Sequence, residues 1–126
     1  MTDTLPESPV REDDDLTDAA LFTTLMLAAA AEENASPVVY FEPEDEQLVV
    51  YNLDDNGVKE YLSDAPGYMT ERVAEYMRRF SNPLVDVETN LEKGRFSFKM
   101  GGLELNYQVA IKPTDDGEIT ILTYEA

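Results

Sequence analysis

Apolar and polar residues alternate along the C-terminal part of the chain, and this period of two predicts an antiparallel meander over residues 94–125. The Gly101-Gly102 pair suits a two-residue hairpin turn, because both central residues of a type I′ turn need positive φ. Arg95, Ser97 and Lys99 are expected to face water. The residues of this hairpin that are expected on the buried face are Phe96, Phe98, Met100, Leu103, Leu105, Tyr107, Val109 and Ile111.

A second turn and a third strand complete the predicted meander. The turn is expected at Pro113–Gly117, which is rich in the residues that favour turns. After it, Ile119 and Ile121 are expected to resume the buried face, whereas Leu122 and Tyr124 are expected to point the other way. This part of the chain therefore predicts one wall of a hydrophobic core.

Two stretches in which apolar residues recur every three or four positions predict helices. The first begins near Thr17 and ends near Asn34, before Pro37. The second spans about Pro66–Phe80 and ends at Asn82-Pro83. The residues expected on the core face of the first helix are Leu21, Phe22, Leu25, Met26 and Ala29. Those expected on the core face of the second are Met69, Val73, Tyr76, Met77 and Phe80.

Short β-rich segments lie between these two helices. Val38–Phe41 and Gln47–Tyr51 are predicted to form a hairpin around a turn at Pro43–Glu46. Asp54–Gly57 is predicted to be another turn, which leads into a brief strand at Val58–Leu62. The predicted fold is therefore α+β, a single domain in which two helices accompany an antiparallel sheet of hairpins and a meander.

The chain of 126 residues carries 27 acidic and nine basic residues, for a net charge of −18. Residues 1–16 are strongly acidic and poor in apolar side chains, so they are predicted to be a disordered tail before a domain at residues 17–126. Such a charge opposes binding to nucleic acid and anionic lipid. Three explanations compete, namely a basic partner, a salty cytoplasm and colloidal stability, and the last is favoured because charge runs are usually solvated faces and tails.

The residue inventory argues against an enzyme. Cysteine and histidine are absent, which removes thiolate nucleophiles, imidazole bases and the commonest zinc ligands. Neither a G-x-S-x-G motif nor a Gly-Lys-Ser/Thr phosphate loop occurs. The acidic turns Asp54–Gly57 and Asp115–Glu118 lack the spacing of a twelve-residue calcium loop. We therefore predict no catalytic, cofactor or metal site.

The N-terminus and the apolar runs also indicate where the protein resides. No apolar run approaches the roughly 20 residues that span a bilayer. Residues 1–18 lack the basic start and the early apolar segment of a signal peptide. We therefore expect a cytoplasmic protein without membrane insertion.

Several short motifs, in order, resemble the α/β subdomain that precedes the motor core in the ATPases of type II secretion and type IV pilus assembly. Where this family has an Ala-Ser-Asp-Ile-His-Ile-Glu-Pro motif after an apolar helix, this chain has Ala35–Pro43. Turn Asp54–Gly57, the second helix, strand Gly94–Phe98 and segment Val109–Glu118 follow in the family's order. The resemblance covers about residues 19–124.

The resemblance implies a stand-alone relative of this subdomain, since no motor core follows it within the 126 residues. Arg95 is the one arginine that remains where family members carry several, whereas the stretch before it reads Glu88-Thr89-Asn90-Leu91. We therefore expect no nucleotide binding, and protein contacts at Tyr40, Glu42, Glu88 and Arg95. The function this implies is an interaction module, accessory or regulatory to a pilus or secretion ATPase. The alternative is a small acidic chaperone that binds an exported chain.

Overall fold

The computed structural model describes residues 16–34, 38–54 and 56–125, which form one seven-stranded sheet and two helices. Neighbouring strands are all antiparallel, in the order β3-β2-β1-β7-β6-β5-β4. The predicted α+β, single-domain class is confirmed. The elements are α1 (Thr17–Asn34), β1 (Val38–Glu44), β2 (Gln47–Leu53), β3 (Lys59–Pro66), α2 (Met69–Ser81), β4 (Leu84–Asp86), β5 (Leu91–Met100), β6 (Leu103–Thr114) and β7 (Gly117–Glu125).

Helix α2 packs on the sheet with the face that its spacing predicts. Tyr76 is fully buried, and its ring centroid lies 5.5 Å from that of Phe96 on β5. Asn82 follows the helix in the left-handed conformation (φ 50°), which ends it before Pro83. The residues that the prediction placed on this face are buried, namely Met69, Val73, Tyr76 and Met77, while Phe80 is partly buried.

Helix α1 lies on the same side of the sheet, but it turns a different face inward than we predicted. Its buried residues are Ala19, Ala20, Thr23, Thr24, Leu27 and Ala30. Leu21 is 45% exposed, and Phe22 and Met26 only line the margin of the core. The run is apolar all round, so spacing did not single out one face. Small residues face inward because they let α1 approach α2 and the sheet closely.

Strand β7 is also turned relative to the prediction. Its buried residues are Thr120 and Leu122, whereas Ile119 and Ile121 lie on the opposite face. The turn explains this result, because it contains only Asp115 and Asp116 and pairs Thr114 with Gly117. A one-residue change in register moves every side chain of a strand to the other face.

The other predicted turns and strands differ in their limits. Gly101 and Gly102 do form the β5–β6 turn, with φ of 59° and 84°. The β1–β2 turn is limited to Asp45-Glu46. Strand β3 runs to Pro66, beyond its predicted end at Leu62, so α2 begins at Met69 rather than at Pro66.

Several predictions concern residues outside the described part of the chain. These are the acidic tail, except Leu16, together with Pro37 and the side chain of Met100. Leu16 is buried, and its carbonyl oxygen accepts a hydrogen bond from the Ala20 amide at 2.9 Å. The packed part of the chain therefore includes Leu16, which the prediction had assigned to the tail.

One arginine joins the last turns of α2 to two strands. Arg78 donates hydrogen bonds to Glu92 on β5 at 2.6 and 2.9 Å, and to Glu118 on β7 at 3.0 Å. Arg78 lies in the last turn of α2, where its positive charge also complements the exposed carbonyl groups of the helix end. The pKa of Glu92 lies below its usual value, mainly because its carboxylate accepts hydrogen bonds from Arg78.

Glu92 should therefore make stability depend on pH. Because its pKa is lower in the folded chain, its contribution is complete above the unfolded value and is lost as pH falls through the folded value. We expect the Glu92→Gln variant to have a lower melting temperature than the wild type at pH 7. As pH falls from 6 to 3, the variant should lose less stability than the wild type. Melting curves across this range would check it, with the exposed Glu88→Gln as control. If the melting temperatures of Glu92→Gln and the wild type fall by the same amount over this range, the prediction is wrong.

Candidate protein-interaction surface

The side of the sheet opposite the two helices is not covered by any described element. Both helices lie on the other side, where Phe22 of α1 contacts Phe41 and Tyr76 of α2 contacts Phe96. The residues that alternate with these buried ones form a surface that we call the open face. Its strands come from both halves of the chain, because β1 pairs with β7 at the centre of the sheet.

One row of side chains crosses the whole open face. The strand registers bring together Tyr61, Tyr51, Tyr40, Ile121, Ala110, Lys93 and Leu84, from β3 to β4. Tyr61 and Leu84, at the two ends, are 61% and 78% exposed. The residues between them, except exposed Lys93, are half-buried by one another. The open face therefore has an apolar and aromatic centre that no described helix shields.

The tyrosine end of this row is held by polar contacts. The Tyr51 hydroxyl donates to Glu44 at 2.6 Å, which, together with burial, raises the pKa of Tyr51 to about 12. Lys59 forms an ion pair with Glu42, and its Nζ lies 4.8 Å from the centroid of the Tyr40 ring. These contacts restrain the rings of Tyr40 and Tyr51 on the open face.

The other end of the open face carries basic residues. Lys93 lies 3.2 Å from Asp86, and Arg95 forms a 3.3 Å ion pair with Glu125. Lys112 is exposed and has no ion-pair partner among the described residues. The basic residues of the open face are Lys59, Lys93, Arg95, Lys99 and Lys112, and its acidic ones are Glu42, Glu44, Asp64, Asp86, Glu104 and Glu125. This face is therefore nearly neutral on a chain of net charge −18.

The structure brings three of the four predicted contact residues to this surface. Tyr40 and Glu42 lie two residues apart on β1 and share the open face. Arg95 is on the same face of β5, about 16 Å from Tyr40 across three strand spacings and two residues along the strand. Glu88 lies apart, exposed in the turn after β4, where its amide donates to Asp86 at 3.0 Å.

Sequence reasoning missed most of the open face. Tyr51, Tyr61 and Lys112 were not recognised as site residues, and Ile121 was placed in the core. The signal that could have found Tyr51 was the β1–β2 turn, since a two-residue turn at Asp45-Glu46 pairs Tyr40 with Tyr51. A β-bulge between Val50 and Tyr51 hides the pairing of Tyr51 with Tyr61 from the sequence.

An acidic cleft lies at the end of the sheet near the start of α2. It has a volume of about 680 Å³ and is lined by the β1–β2 and β6–β7 turns together with Tyr68 and Glu71. In the described ranges, no three carboxylates lie close enough together to hold a metal ion. The turns explain these acids, since Asp45 and Glu46 adopt positive φ in one of them.

Comparisons with known proteins do not assign this chain to a family. No protein-family model matches the chain, and a search of curated proteins finds no match either. The resemblance to secretion ATPases thus stays a prediction that rests on the sequence motifs. Neither α1 nor α2, the helices that the structure describes, is both long and apolar enough to cross a membrane.

Proposed function

We propose that this chain is a non-enzymatic protein-interaction module that binds its partner through the open face of the sheet. One observation carries the proposal, namely the continuous row from Tyr61 to Leu84 on a face that the described helices leave bare. Exposed apolar patches with a polar rim are typical of protein interfaces. Tyrosine is favoured there because its rigid ring combines apolar area with a polar hydroxyl.

The chemistry of the open face supports binding rather than catalysis. The pKa of the Tyr51 phenol is raised, so this side chain is a poor base or nucleophile at neutral pH. The pKa of Tyr61 is also raised, mainly because its hydroxyl donates to Asp64. The basic residues of the open face lie on β3, β5 and β6, and the chain has no phosphate-binding loop to complement them.

For the identity of the partner, the sequence motifs support a pilus or secretion ATPase. Their order, from Ala35–Pro43 to Val109–Glu118, is what motivates this choice. An exported chain with a basic or apolar segment is the second candidate, favoured by the net charge of −18 around an apolar face. The two candidates differ in what the protein would capture from its native cell.

Capture of a partner should depend on Ile121, which lies at the centre of the open face. We expect tagged Ile121→Arg to lose the partner that the wild-type protein recovers, because a guanidinium group there interrupts the apolar row. Leu21→Arg is the matched control, since Leu21 is a partly exposed aliphatic residue on the helix side. Equal capture by Ile121→Arg and the wild type would exclude the open face as the binding surface.

The isolated protein should also neither bind nor hydrolyse ATP. The missing phosphate loop and a net charge that repels polyanions both lead to this expectation. Calorimetry with Mg-ATP at protein concentrations near 0.1 mM, a level chosen to detect weak binding, would measure it. Micromolar affinity would contradict the non-enzymatic assignment and direct attention to Arg95.

A further inference from the structure

We propose that the open face binds a second copy of this chain, in a symmetric dimer whose two-fold axis runs parallel to β7. This inference rests on the proposed function and names an occupant for the same surface. The open face is acidic and aromatic on the β1–β3 side and basic on the β5–β6 side, with β7 between them. Such a surface is complementary to itself when it is rotated about its centre.

The strand registers show which residues would meet. A two-fold rotation about β7 places β1 over β6 and β2 over β5 of the second copy, while β7 faces β7. Ile121 would then contact Ile121 of the second copy at the axis, and Tyr40 would lie over Ala110, the residue that β6 contributes to the same row. Beside the axis a large side chain would thus face a small one, which favours close sheet packing at about 10 Å.

One opposite-charge pair meets in the same arrangement. Like charges also meet, because Asp64 would lie over Asp86 and Glu125 over Glu125, but Asp86 and Glu125 are each paired with a cation of their own chain. Lys112 pairs with Ile119 on β7, and the β1–β7 register, continued by one residue, places Glu42 on the other side of Ile119. Glu42 of one copy would therefore lie over Lys112 of the other, and the symmetry repeats this contact. Tyr51 would lie over Lys93, where a cation can contact the face of the ring.

The net charge of the chain decides how this association should depend on salt. Each copy carries a net charge of −18, so two copies repel each other at long range although the open faces are nearly neutral. The screening length falls from about 30 Å at 0.01 M salt to about 10 Å at 0.1 M, which weakens this repulsion more than the short-range pairs. Salt should therefore favour the dimer, opposite to the effect expected for capture of a basic partner.

The size of the face is compatible with a modest dimer. Seven strands about 4.8 Å apart, each about seven residues long, give a projected area of roughly 700 Å². Stable interfaces bury about 800 Å² on each partner.

A captured partner protein and the second copy would use the same surface, so either one should displace the other.

Sedimentation of the full chain tests the dimer directly. We expect a monomer–dimer equilibrium in which the dimer fraction rises between 0.01 and 0.1 M sodium chloride. Ile121→Arg should remain monomeric because two guanidinium groups would meet at the axis, whereas Leu21→Arg should dimerise like the wild type. Circular dichroism at each salt concentration would show that the variants remain folded.

Charge reversal provides the sharper test. Glu42→Lys and Lys112→Glu should each weaken the dimer at least about tenfold, since each creates two like-charge contacts across the axis. An equal mixture of the two variants should associate again, because one copy would carry two lysines and the other two glutamates at the facing positions. Recovery on mixing requires contact between chains, so effects within one chain do not produce it.

The results separate this inference from the proposed function. A wild-type chain that stays monomeric at both salt concentrations, or a mixture that does not associate, would overturn the second copy as occupant. If Ile121→Arg nevertheless loses a captured partner, the open face is a binding surface for another protein and the proposed function stands. Dimerisation by Ile121→Arg itself would exclude the open face as the dimer interface.

Discussion

Replacing Phe98 by alanine should lower the free energy of unfolding by about 3–5 kcal/mol, the largest effect that we expect from a single substitution in this chain. Phe98 is 3% exposed on the core side of β5. Its ring stacks between Phe96 and Tyr107, with both centroids 6.1 Å away. Truncation removes the apolar area of one ring and the ring contacts of its two neighbours, and leaves a cavity that the sheet cannot close.

Lys99→Ala is the matched control, because Lys99 follows Phe98 on the strand but is exposed on the open face. Its truncation should change stability by less than about 0.5 kcal/mol. Urea denaturation followed by circular dichroism gives both values, provided that the slope with denaturant is unchanged. Similar losses for the two neighbours would mean that the strand is turned the other way.

The sequence alone correctly predicted the buried face of those elements in which only one face is apolar. In β5 and the middle of β6, strict alternation on both sides of the Gly101-Gly102 turn left no choice of face, and Phe96, Phe98 and Tyr107 are buried as predicted. In α2, apolar residues occupy one side and charged residues the other, so Val73 and Tyr76 face the core. Period and polarity agree in these elements, which is the condition for a reliable prediction.

Prediction failed where both faces of an element are apolar. The residues of α1 between Asp18 and Glu32 are uncharged, so only tertiary packing decided that Ala20 rather than Leu21 turns inward. In β7 both faces again carry apolar residues, and the turn at Asp115-Asp116 decided the register. Local sequence contains neither kind of information.

The open face illustrates a further limit. Tyr40 and Arg95 were proposed from a family resemblance, and the structure places both on this face, about 16 Å apart. The row through Tyr40 reaches Lys93, beside Arg95 on β5, only because β1 pairs with β7, a contact between residues some 80 positions apart in the chain. Because that pairing depends on the order of strands in the folded sheet, periodicity within one strand could not reveal the row.

Gly94 should not accept a side chain without a backbone rearrangement, because the end of α2 lies directly against it. A Cβ atom at this position would stand 2.6 Å from the carbonyl oxygen of Ser81 and 3.1 Å from the Cα of Pro83. Both are backbone atoms at the end of α2, so rotation of a side chain cannot relieve the contact. Relief requires the C-terminal turn of the helix to move, which would disturb the contact between Tyr76 and Phe96.

We therefore expect Gly94→Ala to cost about 2–3 kcal/mol, the upper part of the range for added volume in a packed site. Gly102 is the informative control, since a Cβ atom added there would have nothing within 4 Å but the φ of this residue is 84°. Asparagine tolerates such a φ, so Gly102→Asn should cost less than Gly102→Ala. Gly94→Asn should cost at least as much as Gly94→Ala, because there the cause is space and not conformation. Thermal unfolding of the four variants would measure these differences, and a small loss for Gly94→Ala would show that α2 ends farther from the sheet.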